Sequence, residues 1–201
     1  MLWSDATDLT SVWSSNVASL GGSSATPYIL GFNEPDLSTQ ANMTVSEAVS
    51  AWLTYIEPLS SQGYKLGAPA VTNGGSPMGL TWLSSFLEQC STCTIDFIPI
   101  HWYDSATNFY YFKAYMQEAH QVAGDDRPLW ITEFQAYGSE DEQITFLETV
   151  MPWLDSLTWI QRYAWFGVFQ DNLVSADGSV MTPLGQVYRD YYNTTVSSIF
   201  S

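Results

Sequence analysis

Positive charge is scarce: five Lys and Arg stand against 21 Asp and Glu in 201 residues, a formal net charge of −16. Such a surface repels nucleic-acid phosphates and anionic membranes, so neither is expected as a partner, whereas a neutral ligand is compatible with it. Only two cysteines occur, Cys90 and Cys93, in the order Cys-Ser-Thr-Cys. That spacing serves a redox pair, half a zinc site or a short disulfide. No second ligand pair exists, and His101 and His120 are set apart from the first. Zinc is therefore disfavoured, and a disulfide or two idle thiols come ahead of a redox motif. No run of 18 apolar residues is present, and the amino terminus lacks the basic-then-apolar pattern of a secretory leader. Phosphate-cradling glycine loops, G-x-G-x-x-G or Walker type, are missing too, which argues against an open nucleotide-binding sheet. No repeat, linker or compositional shift divides the chain, so one domain is expected over residues 1–201.

Aromatic residues are what the chain has in quantity: 9 Trp, 12 Tyr and 10 Phe. Most are expected to fill a bulky core. A few have the flat apolar faces that suit a sugar ring. Short apolar runs at 1–3, 28–32, 65–71, 95–103, 129–134 and 160–168 read as buried parallel strands. Helical patterns lie between them. Leu9, Val12, Trp13 and Val17 recur at helical spacing up to Gly21-Gly22. Thr44-Val-Ser-Glu47 and Ser139-Glu-Asp-Glu142 are capping boxes, and the first helix they open should kink or end near Pro58. Further helices are expected after Pro77, over 108–122 and after Thr182-Pro183. The step from strand to strand is about 30 to 40 residues, the size of a βαβ unit. This alternation predicts an α/β domain with a parallel sheet. Polar residues follow several different strands (Asn33-Glu34, Asn73, His101 to Asp104, Glu133, Gln170), which favours a barrel of the (β/α)8 type.

Two of those strands end abruptly in a glutamate, Glu34 and Glu133. Paired carboxyl groups on separate strand ends are what glycoside hydrolysis requires: one protonates the leaving oxygen, the other attacks or activates water. A structural reading of Glu133 needs a distant cation such as Arg162 or Lys113, since none adjoins it in sequence. By strict alternation Leu129, Ile131 and Glu133 share one face, leaving Trp130, Thr132 and Phe134 on the other, under the helices.

Gly31-Phe-Asn-Glu-Pro-Asp36, Ile100-His-Trp-Tyr103 and Trp130-Ile-Thr-Glu-Phe134 resemble glycoside hydrolase family 128, the fungal β-1,3-glucanase group with an alkali-sensitive-linkage-protein-like catalytic core. Residues 65–74 and 163–167 join the resemblance, which thus spans essentially the whole chain. It implies a retaining (β/α)8 hydrolase whose acid/base ends strand four and whose nucleophile ends strand seven. Glu34 matches the acid/base and Glu133 the nucleophile. Asn33 matches the amide that binds the sugar 2-hydroxyl, and Tyr103 the phenol that orients the nucleophile. His101 shares the strand face of Tyr103. Trp165 matches an aromatic platform under the cleaved sugar, with Trp102 as a further substrate contact. The plainer reading of both tryptophans is core packing, and of His101 a satisfied interior histidine.

The resemblance also implies β-glucan as the partner, no metal or cofactor, and a secreted or cell-wall location for the intact protein. The sequons at Asn42 and Asn193 matter only there. The alternative is a β-glucan-binding protein without turnover. On the family's strand numbering, residues 1–3 are strand three, so six βα units, strands three to eight, are expected. A complete barrel takes about 250 residues. The chain is therefore expected to be a catalytic domain truncated at its amino terminus.

Overall fold

A computed structural model describes residues 1–20 and 27–199, with side chains described as far as Tyr191. Gly21-Gly22 and the side chain of Asn193 lie outside the described residues. In chain order the elements are α1 (Thr7–Ser19), β1 (Tyr28–Leu30), α2 (Val45–Ala51), β2 (Lys65–Gly67), α3 (Gly79–Gln89), β3 (Ile98–Ser105), α4 (Phe109–Ala123), β4 (Leu129–Tyr137), α5 (Glu140–Asp155), β5 (Ile160–Trp165) and α6 (Pro183–Ile199). Both capping boxes form: Thr44 and Glu47, and Ser139 and Glu142, exchange side-chain and backbone hydrogen bonds at the starts of α2 and α5. After Ala51 the first of these helices widens into a π-helical turn, Trp52–Ile56. It then tightens into a 3-10 turn, Glu57–Gln62, with Pro58 in its first positions, where a missing N–H costs nothing.

The pairings among these five strands are parallel. β1 pairs with β2, and β3, β4 and β5 form a second sheet in that order. Isolated bridges, Gly67 to Phe97 and Val71 to Ile100, connect the two. Among the described residues this is an α/β fold with two small parallel sheets and five strands, one fewer than the alternation predicts. Residues 1–3 form no strand but run beside β1: Leu2 N–H donates to the Leu30 carbonyl (3.1 Å) and Asn33 N–H to that of Trp3 (2.9 Å). β2 also ends early. Pro69, which has no N–H to give, interrupts the ladder, and pairing resumes at Ala70 and Val71.

The face of the sheets turned to the helices carries the main core. Trp102 stacks on Phe146 of α5 (5.5 Å between centroids) and meets Phe112 of α4 edge-on (5.0 Å). Phe134 packs between Phe112 and Trp165. Each such side chain removed from water contributes roughly 1.5–3 kcal/mol before ordering costs. At the carboxyl end of α3 a disulfide joins Cys90 to Cys93, which decides among the readings left open for that pair.

The alternation expected of β4 fails, and the reason is a bulge. Ile100 pairs with Ile131, but the next rung joins His101 to Glu133, so Thr132 is an extra residue on β4. Directly paired residues point to the same side of a sheet. Pro99 pairs with Trp130 and His101 with Glu133, and Pro99 and His101 are two residues apart on β3. Trp130 and Glu133 therefore share a face, and Leu129, Ile131 and Phe134 belong to the helix-side core. Trp130 stacks on Phe97 (4.0 Å) and meets Tyr28 at a tilt (4.8 Å), with the Arg162 guanidinium 4.6 Å above its ring.

Candidate active site

The bulge delivers Glu133 to the rim where β1 and its following turn deliver Glu34. Glu34 is held in the left-handed region, φ 44°, a conformation that costs a non-glycine residue about 1 kcal/mol or more. Hydrogen bonds hold it there: its N–H donates to the Ala70 carbonyl (2.7 Å), and its own carbonyl accepts from Leu37 N–H (3.0 Å). Asp36 ties this turn to the loop after β2, accepting from Thr72 N–H (3.2 Å), the Thr72 hydroxyl (2.5 Å) and Gly79 N–H (2.9 Å).

His101 lies beneath both glutamates, fully buried. Its Nδ1 is 2.8 Å from Glu34 Oε1 and 3.5 Å from Glu133 Oε2. Two acidic oxygens face Nδ1, whereas Nε2 has no partner among the described residues. A proton on Nδ1 is the tautomer this arrangement favours, and it is donated to Glu34. One donor atom from each of Glu34, His101 and Glu133 fits within a 4.8 Å spread. The same three side chains thus have the ligand types and spacing to hold a cation, although ligand types alone do not make them a metal site. Neither Arg162 nor Lys113 pairs with Glu133; they lie over aromatic rings instead, Trp130 and Tyr28 for the first, Trp153 and Phe109 for the second.

Tyr103, two residues beyond His101 on β3, donates its hydroxyl to Glu133 Oε2 at 2.5 Å. Burial, and then this bond to a carboxylate, push the phenol well above the usual tyrosine range. Asn33 is buried at the edge of the site, its Nδ2 donating to Gln40 Oε1 (3.2 Å). These groups open onto a cleft of about 770 Å³ lined also by Trp3, Asn73, Gln135, Tyr137 and Phe166.

Of the seven residues singled out in the sequence, Glu34, Glu133, Asn33 and Tyr103 line the cleft. His101 reaches it only through the two carboxylates, because its own side chain is fully buried. The two tryptophans are corrections. Trp102 pairs with Phe134 and Trp165 with the same residue from the other side, so both face the helices. Trp102 is wholly enclosed, and Trp165 donates Nε1–H to Asn172 (3.0 Å) rather than presenting a platform. The aromatic wall is made by Phe166, one residue on, and by Tyr137. Gln135 and Tyr137 follow Glu133 at period two and were legible had β4 been carried past Phe134. Trp3 and Gln40 carried no such signal.

A family model described as glycosyl hydrolase catalytic core matches residues 1–188. Alkali-sensitive linkage protein 1 of Schizosaccharomyces pombe is 32% identical over 178 residues, covering 80% of this chain and 32% of that protein. The chain thus spans about a third of the length of this curated relative. A solved structure of a family 128, subgroup III, curdlan-specific exo-β-1,3-glucanase from Blastomyces gilchristii is 38% identical. It has a TM-score of 0.84 and covers 94% of this chain and 79% of that one. A subgroup II endo-β-1,3-glucanase from Sorangium cellulosum is 32% identical with a TM-score of 0.77, covering 94% and 78%. With the family model matching nearly the whole chain, and relatives above 30% identity across most of it, this chain belongs to the glycosyl hydrolase catalytic core proteins and is a member of glycoside hydrolase family 128.

Proposed function

We propose that the chain carries the catalytic machinery of a retaining β-1,3-glucan hydrolase, with Glu34 as acid/base and Glu133 as nucleophile. The observation that carries this reading is the approach of the two carboxyl groups, whose nearest oxygens lie within 4.8 Å of one another. Direct attack with retention needs carboxyl groups about 5–5.5 Å apart, whereas inversion needs room for a water and about 6.5–9.5 Å. Glu133 Oε2, aimed by the Tyr103 hydroxyl, attacks the anomeric carbon. Glu34 gives its proton to the departing glycosidic oxygen. Water then enters on the same face, loses a proton to Glu34, and displaces Glu133 from the sugar. Asn33 Nδ2 has one N–H engaged by Gln40 and a second free to meet the sugar 2-hydroxyl.

The linkage rests on the glucanases among the relatives, which include both exo- and endo-acting enzymes. A location outside the cell agrees with the Cys90–Cys93 disulfide, which persists in oxidising compartments. Among the described residues no helix is long and apolar enough to cross a membrane.

A second reading, glucan binding without turnover, is favoured by the aromatic wall alone: Tyr137 and Phe166 can hold a sugar whether or not it is cleaved. Incubation with laminarin and laminari-oligosaccharides, with product anomers followed by NMR, separates the two. The expected result is initial release of the β-anomer, lost in Glu133→Gln and in Glu34→Gln. Initial α-anomer would overturn retention. Binding with no reducing ends released would leave the second reading standing.

A further inference from the structure

We propose that Asn73 is a positioning residue for Glu133, acting through the backbone of Tyr103. This deepens the reading of Glu133 as nucleophile and rests on it for its kinetic consequence. Along β3, His101 and Tyr103 turn their backbone groups toward the β2 side, where His101 N–H donates to the Val71 carbonyl (3.0 Å). One rung further on, the backbone that could have paired with Tyr103 has already left. Thr72 N–H is taken by Asp36 and the chain turns toward α3. The Asn73 carboxamide fills that gap. Its Nδ2 donates to the Tyr103 carbonyl (3.2 Å) and its Oδ1 accepts from Tyr103 N–H (3.1 Å).

A side chain thus continues the ladder for the one residue whose hydroxyl holds Glu133. The two bonds also fix which way the amide points. A flipped carboxamide would set oxygen against carbonyl and N–H against N–H. Tyr111 on α4 completes the clamp: its hydroxyl donates to the Asn73 carbonyl (3.1 Å) and lies 3.4 Å from Nδ2. On the other side Tyr103 is paired with Gln135 of β4. Without Asn73 the end of β3 is held from one side only, and the Tyr103 hydroxyl loses the fixed origin from which it reaches Glu133 Oε2.

Asn73→Ala removes both bonds. Asn73→Asp is isosteric but places an oxygen opposite the Tyr103 carbonyl, so it keeps size while breaking half the clamp. The direct readout is the Tyr103 hydroxyl proton in the NMR spectrum, a downfield, slowly exchanging signal identified by its loss in Tyr103→Phe. It is expected to broaden or vanish in both Asn73 variants, with the fold intact by circular dichroism. On laminari-oligosaccharides, kcat is expected to fall about ten-fold with KM changed less than about two-fold. Adding Asn73→Ala to Tyr103→Phe should cost little more than Tyr103→Phe alone. An unchanged hydroxyl signal in both variants overturns the proposal, and so does a kinetic loss fully additive with that of Tyr103→Phe. If the wild-type chain releases no sugar, the function proposed above fails, while the hydroxyl signal still decides the role of Asn73.

Discussion

His101 and Glu34 share a hydrogen bond of 2.8 Å in a place where the imidazole has no access to solvent, and the same nitrogen lies 3.5 Å from Glu133. The buried ring is therefore the floor on which both carboxylates rest. The ring itself is not among the residues that line the cleft. On the mechanism proposed above, its effect on the reaction would be exerted through where it keeps the Glu34 carboxyl and which of that group's oxygens stays free to deliver a proton.

Replacing His101 should consequently cost both stability and rate. His101→Ala leaves the Glu34 carboxyl, itself buried, without its donor, an expected loss of about 1–3 kcal/mol by urea denaturation. The fall in kcat on laminari-oligosaccharides is expected to be about 10²-fold. His101→Asn, which can still offer an N–H, should recover part of both. Equal kcat for wild type and His101→Ala would show that the floor is dispensable.

On the function proposed above, the aromatic contact to sugar is assigned to Phe166, which lines the cleft, since Trp165 is turned to the helices. Phe166→Ala should raise KM by about ten-fold, the equivalent of about 1.4 kcal/mol of binding. Trp165→Phe should leave KM alone and lower the melting temperature, because it deletes the bond to Asn172 and part of the packing on Phe134. A KM effect from Trp165→Phe larger than that of Phe166→Ala would reverse the assignment.

This pair shows where the sequence could be read and where it could not. Strand-end glutamates, capping boxes and the α/β alternation are local signals, and each corresponds to an element or a cleft residue in the fold. Side-chain direction is different. It depends on register, and the extra residue Thr132 shifts the parity of β4 in a way that no composition or period announces. Trp130 and Trp102 could not be sorted to their faces until the rungs were known. The isolation of residues 1–3 from strand status, and the use of the Asn73 side chain as a rung, likewise depend on where neighbouring backbone turns away.

Acid should loosen the starts of α2 and α5 first. Hydrogen bonds from the Thr44 side chain and backbone hold the Glu47 carboxyl below its ordinary value of 4.5, and those from the Ser139 backbone and side chain do the same for Glu142. A carboxyl depressed in the folded state stabilises fully above its unfolded value and loses that contribution as pH falls through the folded one. Wild type should therefore lose melting temperature below about pH 4.5 faster than Glu47→Gln/Glu142→Gln, which has no carboxylate at either cap to protonate. The two curves should stand apart at pH 6 and converge by about pH 3. Curves that run parallel across that range would count against the caps as the acid-labile elements.

Trp102 tests the opposite case, a residue whose aromatic character suggested substrate but whose surroundings are all protein. Its ring is enclosed by Phe112, Phe146 and Tyr111, and its indole N–H has no partner among the described residues. Truncation to alanine opens a cavity in the centre of the helix-side core and should cost about 3–5 kcal/mol. Phenylalanine at the same position has two opposing effects. It leaves a smaller void, which destabilises, and it removes a buried donor that nothing accepts, which relieves about 1–3 kcal/mol of unmet desolvation. Trp102→Phe is therefore expected to lie within about 1 kcal/mol of wild type in urea, with KM for laminari-oligosaccharides unchanged. A large loss in Trp102→Phe would mean that the donor is satisfied in solution, by a water reaching the indole. A raised KM at full stability would place the ring against the sugar after all, and with it the face assigned to this part of β3.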